Sequence, residues 1–334
     1  MKDHWNNISV KKISKLSNVS TATVDRVLHK RKGVSKHSII KVNDALKELK
    51  NGVIHKSKKI LFFCQSGNLF NEKLNINIKL LLKSTGRFEN IDTIFILPQD
   101  NIPTYLNFNF LKNNYDGLII IAAENSKIKN LVQNFIFINR PVITLTTDLS
   151  DTDRTAYVGN NQVASGSTVA KLLTSSLNQK RGDILIVLSQ PYRCQQDREL
   201  GFKKIIRYEY PKFKINEVIH RIHTTEDSYK TVKKYIKDNG PPLGIYNVAG
   251  GNEGVAEAIK DAGHQEIIFI GHELNNKTHF LLNTDQMLYV IGHDEKFEIE
   301  NSILLINNFY NNKKIKNIES SILIHTKHNC SFNY

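Results

Sequence analysis

The stretch VSTATVDRVL, residues 19–28, decides how the N-terminal part of this chain folds. Ser20 or Thr21 can cap a helix there, with Val24, Val27 and Leu28 on its buried face. Before it, Val10, Ile13 and Leu16 recur at helical spacing, and the polar residues 17–20 separate the two helices. After it, Ser35 can cap a third helix that buries Ile39, Val42, Leu46 and Leu49. Three short helices with a tight turn between the first two describe a helix-turn-helix unit.

Positive charge is concentrated in the same region. The 334 residues carry a formal net charge of +14, but residues 1–59 alone contain 15 basic and four acidic side chains, an excess of 11. The rest of the chain is close to neutral. This asymmetry indicates a polyanionic partner for the N-terminal region.

A reading helix enters the major groove of double-stranded DNA by its N-terminal end. We therefore expect Thr21, Ala22 and Arg26 to meet base edges, with Arg26 on a guanine. A second set is expected to contact phosphates, namely Ser20, Thr23, His29, Lys32 and Ser35, helped by Ser38, Lys30, Arg31 and Lys36. A helical bundle with a solvated basic face is the simpler alternative, and the charge excess and the capped helix favour DNA over it.

From Ile60 onward, short apolar strands alternate with longer amphipathic segments. This alternation predicts an α/β fold with mostly parallel sheets, and its length predicts two lobes. Residues 51–59 have little pattern and many charges, so we interpret them as a linker between residues 1–50 and residues 60–334.

The N-terminal stretch closely resembles the headpiece of the lactose-repressor (LacI/GalR) family of bacterial regulators. The matching features are a V-S-x-x-T-V-x-R-V-L pattern over residues 19–28 and Val34-Ser35 before the third helix. The resemblance places Thr21, Ala22 and Arg26 on base-reading positions, and Ser20, Thr23, His29 and Ser35 on phosphate positions. Asp25 stands where many members have Ser.

The remainder resembles the effector domain of that family, a two-lobed fold like the type I periplasmic binding proteins. The resemblance rests on short segments at predicted strand ends, such as residues 146–148, 156–161, 198–202 and 270–273. It implies a first lobe over about 60–158 and 291–317, a second lobe over about 159–290 and 318–334, and a homodimer. Family members usually carry a hinge helix after the headpiece. Its usual pattern resembles Y-x-P-N-x-x-A-x-x-L, and the ten residues 50–59 do not contain that pattern, so we expect no hinge helix and little DNA bending.

The expected effector is a sugar or related polyol, because paired polar groups and an aromatic wall suit neighbouring hydroxyls. Candidate ligands near predicted strand ends are Asp148, Arg193, Arg198, Asn247, Glu273, His293 and Asp294. Secondary candidates are Asn68, Asn160, Gln195 and the aromatic Phe70 and Tyr246.

Several other classes are unlikely from the sequence. No apolar run reaches the ~18 residues of a membrane span, and no signal-peptide core begins the chain, so we expect a cytoplasmic protein. The three cysteines are widely spaced and are interpreted as free thiols. His220 with His223, or His272 with Glu273, lacks a third metal ligand at a recognisable spacing, so no metal and no cofactor are predicted. The glycine-rich residues 249–254 are interpreted as a tight turn and not as a phosphate loop.

The sequence therefore predicts an effector-controlled, DNA-binding transcriptional regulator that is not an enzyme. Two alternatives remain. A solute-binding protein of a transporter would need a signal peptide and no basic headpiece. An enzyme with a DNA-binding appendage would need a catalytic constellation in its cleft.

Replacing Arg26 with Ala is expected to cost about 1–3 kcal/mol at one base pair of each half-site, because a bidentate base contact is lost. Lys32→Ala should weaken binding to all sequences alike, because it removes one phosphate contact. The slope of log K for DNA binding against log salt concentration should become shallower by about one. Binding titrations at several salt concentrations distinguish the two effects. An unchanged sequence preference in Arg26→Ala would show that the predicted register of the reading helix is wrong.

Overall fold

The structure is a computed structural model that describes residues 9–50, 58–85, 90–179, 181–189, 192–220 and 224–330. The chain divides into two compact units, Met1–Lys58 with Leu80–Asn90, and Lys59–Lys79 with Ile91–Tyr334. Residues 51–57 of the predicted linker lie outside the described residues, so the absence of a hinge helix stays a prediction.

Three helices form the N-terminal unit as predicted: α1 (Val10–Ser17), α2 (Thr21–Leu28) and α3 (Lys36–Lys50). The turn between α1 and α2 uses Asn18, whose left-handed backbone (φ 50°) lets its N–H donate to the carbonyl of Ser14. Ser20 then caps α2 by accepting a hydrogen bond from the N–H of Thr23 at 3.2 Å. Local polar side chains therefore set the angle between the first two helices.

The core of this unit differs in one place from the predicted one. Ile13, Val24, Val42 and Ala45 are buried. Ile39 is predicted to be inside but is 38% exposed, and Leu16 on the apolar edge of α1 is 36% exposed. Helical periodicity identifies a face of each helix, but the small size of this bundle leaves the ends of those faces in solvent.

The second unit contains two six-stranded sheets. The first sheet has the strand order β11-β5-β4-β3-β1-β2 and consists of β1 (Lys59–Gln65), β2 (Asn90–Ile96), β3 (Gly117–Ile121), β4 (Val142–Leu145), β5 (Ala156–Asn160) and β11 (Ile318–Ser320). The second has the order β12-β10-β9-β8-β6-β7 and consists of β6 (Gly182–Leu188), β7 (Phe213–Ile219), β8 (Gly244–Asn247), β9 (Ile268–His272), β10 (Tyr289–His293) and β12 (Ile322–His325).

Nine helices in the described residues connect these strands: α4 (Asn68–Thr85), α5 (Phe108–Asn114), α6 (Ser126–Phe137), α7 (Gln162–Ser176), α8 (Arg193–Glu209), α9 (Thr225–Asn239), α10 (Asn252–Asp261), α11 (Asn276–Asn283) and α12 (Glu295–Tyr310). The two-lobed α/β fold with parallel sheets is therefore confirmed. β12 pairs antiparallel with β10. Parallel strands such as β1 and β3 are buried apolar runs, and their carboxyl ends share one edge of the sheet.

The chain passes between the sheets three times, after β5, after β10 and between β11 and β12. The predicted lobe boundary at residue 291 falls inside β10, which stays in the second sheet to His293. Residues 318–320 were assigned to the second lobe, but they form β11 and pair in parallel with β5 of the first sheet. A three-residue strand is too short to show a periodic signal, which explains why β11 was missed.

Among the described residues, no helix combines the length and the apolar character needed to cross a membrane.

Helices α7 and α8 approach closely because each presents a glycine to the other. A Cβ atom on Gly166 would overlap the carbonyl oxygen of Arg198, and one on Gly201 would overlap the carbonyl oxygen of Val163. This contact fixes the position of α8, which carries Arg198.

Gly201→Ala is expected to destabilise the protein by about 1–3 kcal/mol or more, because the added methyl group meets backbone that cannot move alone. Gly250→Ala is the matched control, since nothing lies within 4 Å of a Cβ atom there. Urea denaturation measures both. Equal stability of the two variants would contradict the close packing of α7 on α8.

Candidate functional site

The N-terminal end of α2 presents the predicted base-reading side chains to solvent. Thr21, Ala22 and Arg26 are exposed. Ser20 and Ser35 accept helix-capping hydrogen bonds from the N–H groups of Thr23 and Ser38 at 3.2 and 3.1 Å. His29 and Lys32 are exposed and Thr23 is partly buried. The helix geometry is thus compatible with the predicted contacts, although the capping serines already have a structural task.

Asp25 is held within the same helical unit. Its carboxylate lies 3.2 Å from Nη1 of Arg31 and 3.3 Å from Nε2 of His29. An acidic side chain on a helix that faces DNA would repel phosphates, and these two partners reduce that repulsion.

In the second unit, six polar residues form a closed chain of contacts where strands of the two sheets end; five of the six links join side chains, and Gln162 donates to the backbone carbonyl of Thr146. We call it the cleft ring, and its members in order are Arg198, Gln162, Thr146, Glu298, His293 and Glu273. Two of these, Thr146 and Glu298, come from the first lobe, and the other four come from the second.

Arg198 is the most buried cation of the ring, with 4% of the residue exposed. Its Nε donates to Oε1 of Gln162 at 2.7 Å, and its Nη1 reaches the carbonyl of Val248 at 3.4 Å. Its Nη2 lies 3.7 Å from Oε1 of Glu273. A buried guanidinium with such partners is a fixed donor for carboxylate or hydroxyl oxygens.

Glu273 lies between two cations. Its Oε2 is 3.5 Å from Nε2 of His293, on the side opposite Arg198. Burial acts to raise the pKa of Glu273, but His293 and Arg198 outweigh burial and hold that pKa well below its usual range. Glu273 is therefore a carboxylate at neutral pH, and 23% of its side chain remains exposed.

His293 connects the lobes. Its Nδ1 is 2.9 Å from Oε1 of Glu298, and both side chains are almost fully buried. Burial alone would lower the pKa of His293, yet the carboxylates of Glu298 and Glu273 raise it well above its usual value. The ring therefore contains an imidazolium between two carboxylates.

Two ring members have strained backbones. Thr146 (φ 61°) and Glu273 (φ 70°) both have left-handed conformations that non-glycine residues rarely adopt. They directly follow the carboxyl ends of β4 and β9. Such strain is concentrated at functional sites, where surrounding contacts enforce a side-chain direction.

A second ion pair lies beside the ring. Nζ of Lys73 on α4 is 2.5 Å from Oε1 of Glu295, and Nδ2 of Asn77 donates to Oε2 of Glu295 at 2.8 Å. Burial raises the pKa of Glu295. Glu273, His293 and Glu295 offer three ligand atoms within 4.8 Å of one another. However, Lys73 and Arg198 already neutralise the two carboxylates, so the arrangement favours ion pairs over a metal site.

The two lobes are also joined directly outside the ring. The hydroxyl of Tyr192 donates to the carbonyl of Gln65 at 2.9 Å, and the N–H of Cys194 donates to Oγ1 of Thr147 at 3.2 Å. The strand ends of the two sheets consequently face each other at contact distance.

Of the seven predicted effector ligands, the structure brings Arg198, Glu273 and His293 together. The other four have different partners. Asp148 forms a two-pronged ion pair with Arg154 and also accepts from Oγ1 of Thr144 at 2.8 Å. Arg193 is exposed and pairs with Asp197 at 3.0 Å, and Asp294 caps α12 through the N–H of Phe297 at 2.9 Å.

Asn247 is fully buried in the glycine-rich turn. Its Nδ2 donates to the carbonyl of Gly250 at 3.0 Å and to Oδ1 of Asn252 at 2.8 Å. The turn needs Gly251, which has a φ of +80°. The turn predicted over residues 249–254 is thus shorter: it ends at Gly251, α10 begins at Asn252, and Asn247 is bound against it.

The secondary candidates divide similarly. Tyr246 is buried in the core, and its hydroxyl lies 2.7 Å from Nε2 of His272, so its ring is not available for the predicted stacking on a sugar. Asn160 is buried and Phe70 partly buried, Asn68 is exposed, and Gln195 accepts from Ser189 at 2.9 Å. His220 is buried, while its suggested metal partner His223 lies outside the described residues.

Sequence reasoning missed Gln162, Thr146, Glu298, Glu295 and Lys73. The available signal was the pattern His293-Asp-Glu295-x-x-Glu298, which puts acidic residues in the first turns of a helix that follows a strand ending in His. Acidic residues there are common as helix-dipole partners, so the pattern alone did not indicate a site.

The family of this fold follows from comparison with known proteins. The profile of the periplasmic binding protein domain matches residues 108–313, more than half of the chain. The chain therefore belongs to the periplasmic binding protein domain family.

Two of the similar proteins are named as regulators. The HTH-type transcriptional repressor ExuR of Bacillus subtilis is 21% identical over 253 residues, which cover 72% of each protein. A protein from Bacteroides fragilis described as a LacI transcriptional regulator has a TM-score of 0.72 at 15% identity, covering 82% of this chain and 98% of that one. These matches confirm the resemblance to LacI/GalR regulators.

The fold is shared with a sugar-binding protein. GanP, a glucose-galactose binding protein from Geobacillus stearothermophilus, has a TM-score of 0.69 at 18% identity, covering 82% of this chain and 99% of GanP.

Replacing Asp148 with Asn should destabilise the protein at neutral pH, because Arg154 loses its carboxylate partner. Burial acts to raise the pKa of Asp148, but the hydrogen bonds from Arg154 and Thr144 prevail and lower it. A lowered carboxyl pKa contributes stability above the unfolded pKa, near 4, and this stability is lost as the pH falls through the folded pKa. The difference between the variant and the wild type should therefore shrink in acid. A pH-independent difference in urea denaturation would contradict the ion-pair assignment.

Proposed function

We propose that this protein is a transcriptional regulator that binds an operator through α2 and whose DNA affinity is controlled by a sugar or polyol bound at the cleft ring. The observation that carries the proposal is the presence in one chain of both parts. An N-terminal helix-turn-helix has Thr21, Ala22 and Arg26 exposed, and a periplasmic-binding-protein fold has charged side chains gathered at its strand ends.

The DNA half is supported by charge and by geometry. Residues 1–59 hold most of the net positive charge of the chain. The reading helix is capped, short and exposed at the end that would enter the major groove. A homodimer that places two headpieces on two half-sites suits this arrangement and the resemblance to LacI/GalR regulators.

The effector half is supported by the chemistry of the ring. Sugar hydroxyls both donate and accept hydrogen bonds, and the ring offers a fixed guanidinium, a carboxylate and an imidazolium within one site. The glucose-galactose specificity named for GanP supports sugars as the first class to test.

The two alternatives have less support. A transporter component does not account for the basic helix-turn-helix. The compared proteins are repressors and binding proteins by name, which supports binding over catalysis. Turnover of a bound sugar would favour the enzyme instead.

The test has two independent parts. Selection from random double-stranded DNA should enrich one near-palindromic sequence, and a panel of aldoses and polyols that includes glucose and galactose should raise the melting temperature for one member or a few. A ligand at 100 times its Kd adds ~2.7 kcal/mol, which is readily measured. Enrichment of no sequence would overturn the DNA half, and no stabilisation by any member would overturn the sugar half.

Arg198→Gln and Glu273→Gln are each expected to remove the sugar-induced rise in melting temperature, because a charged hydrogen-bonding group worth ~1.5–3 kcal/mol is lost. Each variant is compared with its own ligand-free melting temperature, since both changes also disturb a buried ion pair. Arg207→Gln is the matched control, because Arg207 lies on the exposed face of the same helix α8. Full stabilisation of both ring variants would place the sugar elsewhere.

A further inference from the structure

Glu298 is not expected to touch a ligand, yet its carboxylate contacts three side chains. Only 1% of its side chain is exposed. Its Oε1 accepts from the hydroxyl of Ser320 at 2.5 Å and lies 2.9 Å from Nδ1 of His293, while its Oε2 accepts from Oγ1 of Thr146 at 3.2 Å. These partners lie on β11, β10 and the end of β4.

Glu298 contacts residues that lie next to the points where the chain passes from one lobe to the other. His293 is the last residue of β10 in the second sheet, and Glu298 is on the first-lobe helix that follows. Ser320 ends β11, directly before the chain passes to β12. One carboxylate therefore binds residues beside two of the three passages between the sheets.

The other nitrogen of His293, Nε2, is buried beside Glu273. This atom is 3.5 Å from Oε2 of Glu273, which is too long for a good hydrogen bond. Within the described residues neither ring nitrogen has a hydrogen-bond partner, so the 2.9 Å contact of Nδ1 with Glu298 is a close ion pair. A donor that is buried without a close acceptor favours any ligand oxygen that can reach it.

We propose that Glu298 is a positioning residue: it fixes the ring of His293 across the passage between the lobes, so that Nε2–H is held as a charged donor toward Glu273 and a ligand hydroxyl. The ligand contact rests on the function proposed above, but the charge and orientation of His293 do not.

The charged groups around His293 determine whether its pKa is raised or lowered. Three carboxylates, Glu273, Glu295 and Glu298, favour the imidazolium. Arg198 and Lys73 oppose it, and burial lowers the pKa of the two other imidazoles nearby, His272 and His325. Glu298 is the closest of the carboxylates to a ring nitrogen. Its charge is therefore the decisive one for the protonation of His293.

The experiment is an NMR titration of the histidine Cε1–Hε1 signals in the full-length protein without sugar or DNA, with His293→Gln used for assignment. In the wild type, the His293 signal should stay at its protonated position from about pH 6 to 8.5, above the ordinary histidine pKa. In Glu298→Gln, the pKa of His293 should fall, because the nearest opposite charge is lost, so that the signal titrates within this window.

Two further variants separate charge from shape. Glu298→Asp keeps the carboxylate and should restore a protonated His293, whereas a purely steric role predicts no rescue by the shorter side chain. Glu300→Gln, on the exposed face of the same helix, should behave as the wild type.

The outcomes are decisive even without a ligand. A wild-type His293 that titrates near its ordinary pKa would overturn the proposal. This measurement on the wild type tests the proposal even if Glu298→Gln does not fold. A His293 that stays protonated in a folded Glu298→Gln would also overturn it, because Glu273 alone would then suffice. Since neither sugar nor DNA is present, failure of the proposed function leaves this result unaffected.

Discussion

The cleft ring is the constraint on which the second unit depends. Charges removed from water are costly unless each has a close partner, and in this fold the partners come from both lobes. Gln162 reaches the carbonyl of Thr146 and His293 reaches Glu298, so the ring closes only when the strand ends of the two sheets meet. The same contacts account for the strained backbones of Thr146 and Glu273, because each residue must turn its side chain into the ring.

Helices α7 and α8 and strand β11 help to position residues of the cleft ring. The glycine contact between α7 and α8 allows Arg198 to lie beside Gln162, the first residue of α7. β11 is only three residues long, but it places Ser320 against Glu298. A ligand that inserts between Arg198, Glu273 and His293 would exchange contacts with groups that also join the lobes. This gives a physical route from binding to a change in the relative position of the lobes.

Much of this fold could be predicted from sequence because its signals are local. The cap at Ser20, the turn at Asn18 and the alternation of strands with helices each depend on a few neighbouring residues. The site was harder to predict. Arg198, Glu273 and His293 were found because they follow or face strand ends, but the same rule also selected Asp148 and Asn247. Asp148 is bound by the nearby Arg154, and Asn247 by the nearby Asn252. Periodicity does not indicate which polar group forms a hydrogen bond or ion pair with which other group. Glu298 and Lys73 enter the cleft from helices, where a charged residue normally indicates a solvated face.

The central claim is that one ligand at the cleft ring controls the affinity of the headpiece for DNA. Thermodynamic linkage tests it most directly. The operator Kd is measured by fluorescence anisotropy with and without a stabilising sugar, and the sugar Kd is measured by calorimetry with and without the operator. The account predicts that both ratios differ from one and are equal, because coupling between two sites is reciprocal. A sugar that binds the ring tightly while leaving the operator Kd unchanged would contradict it.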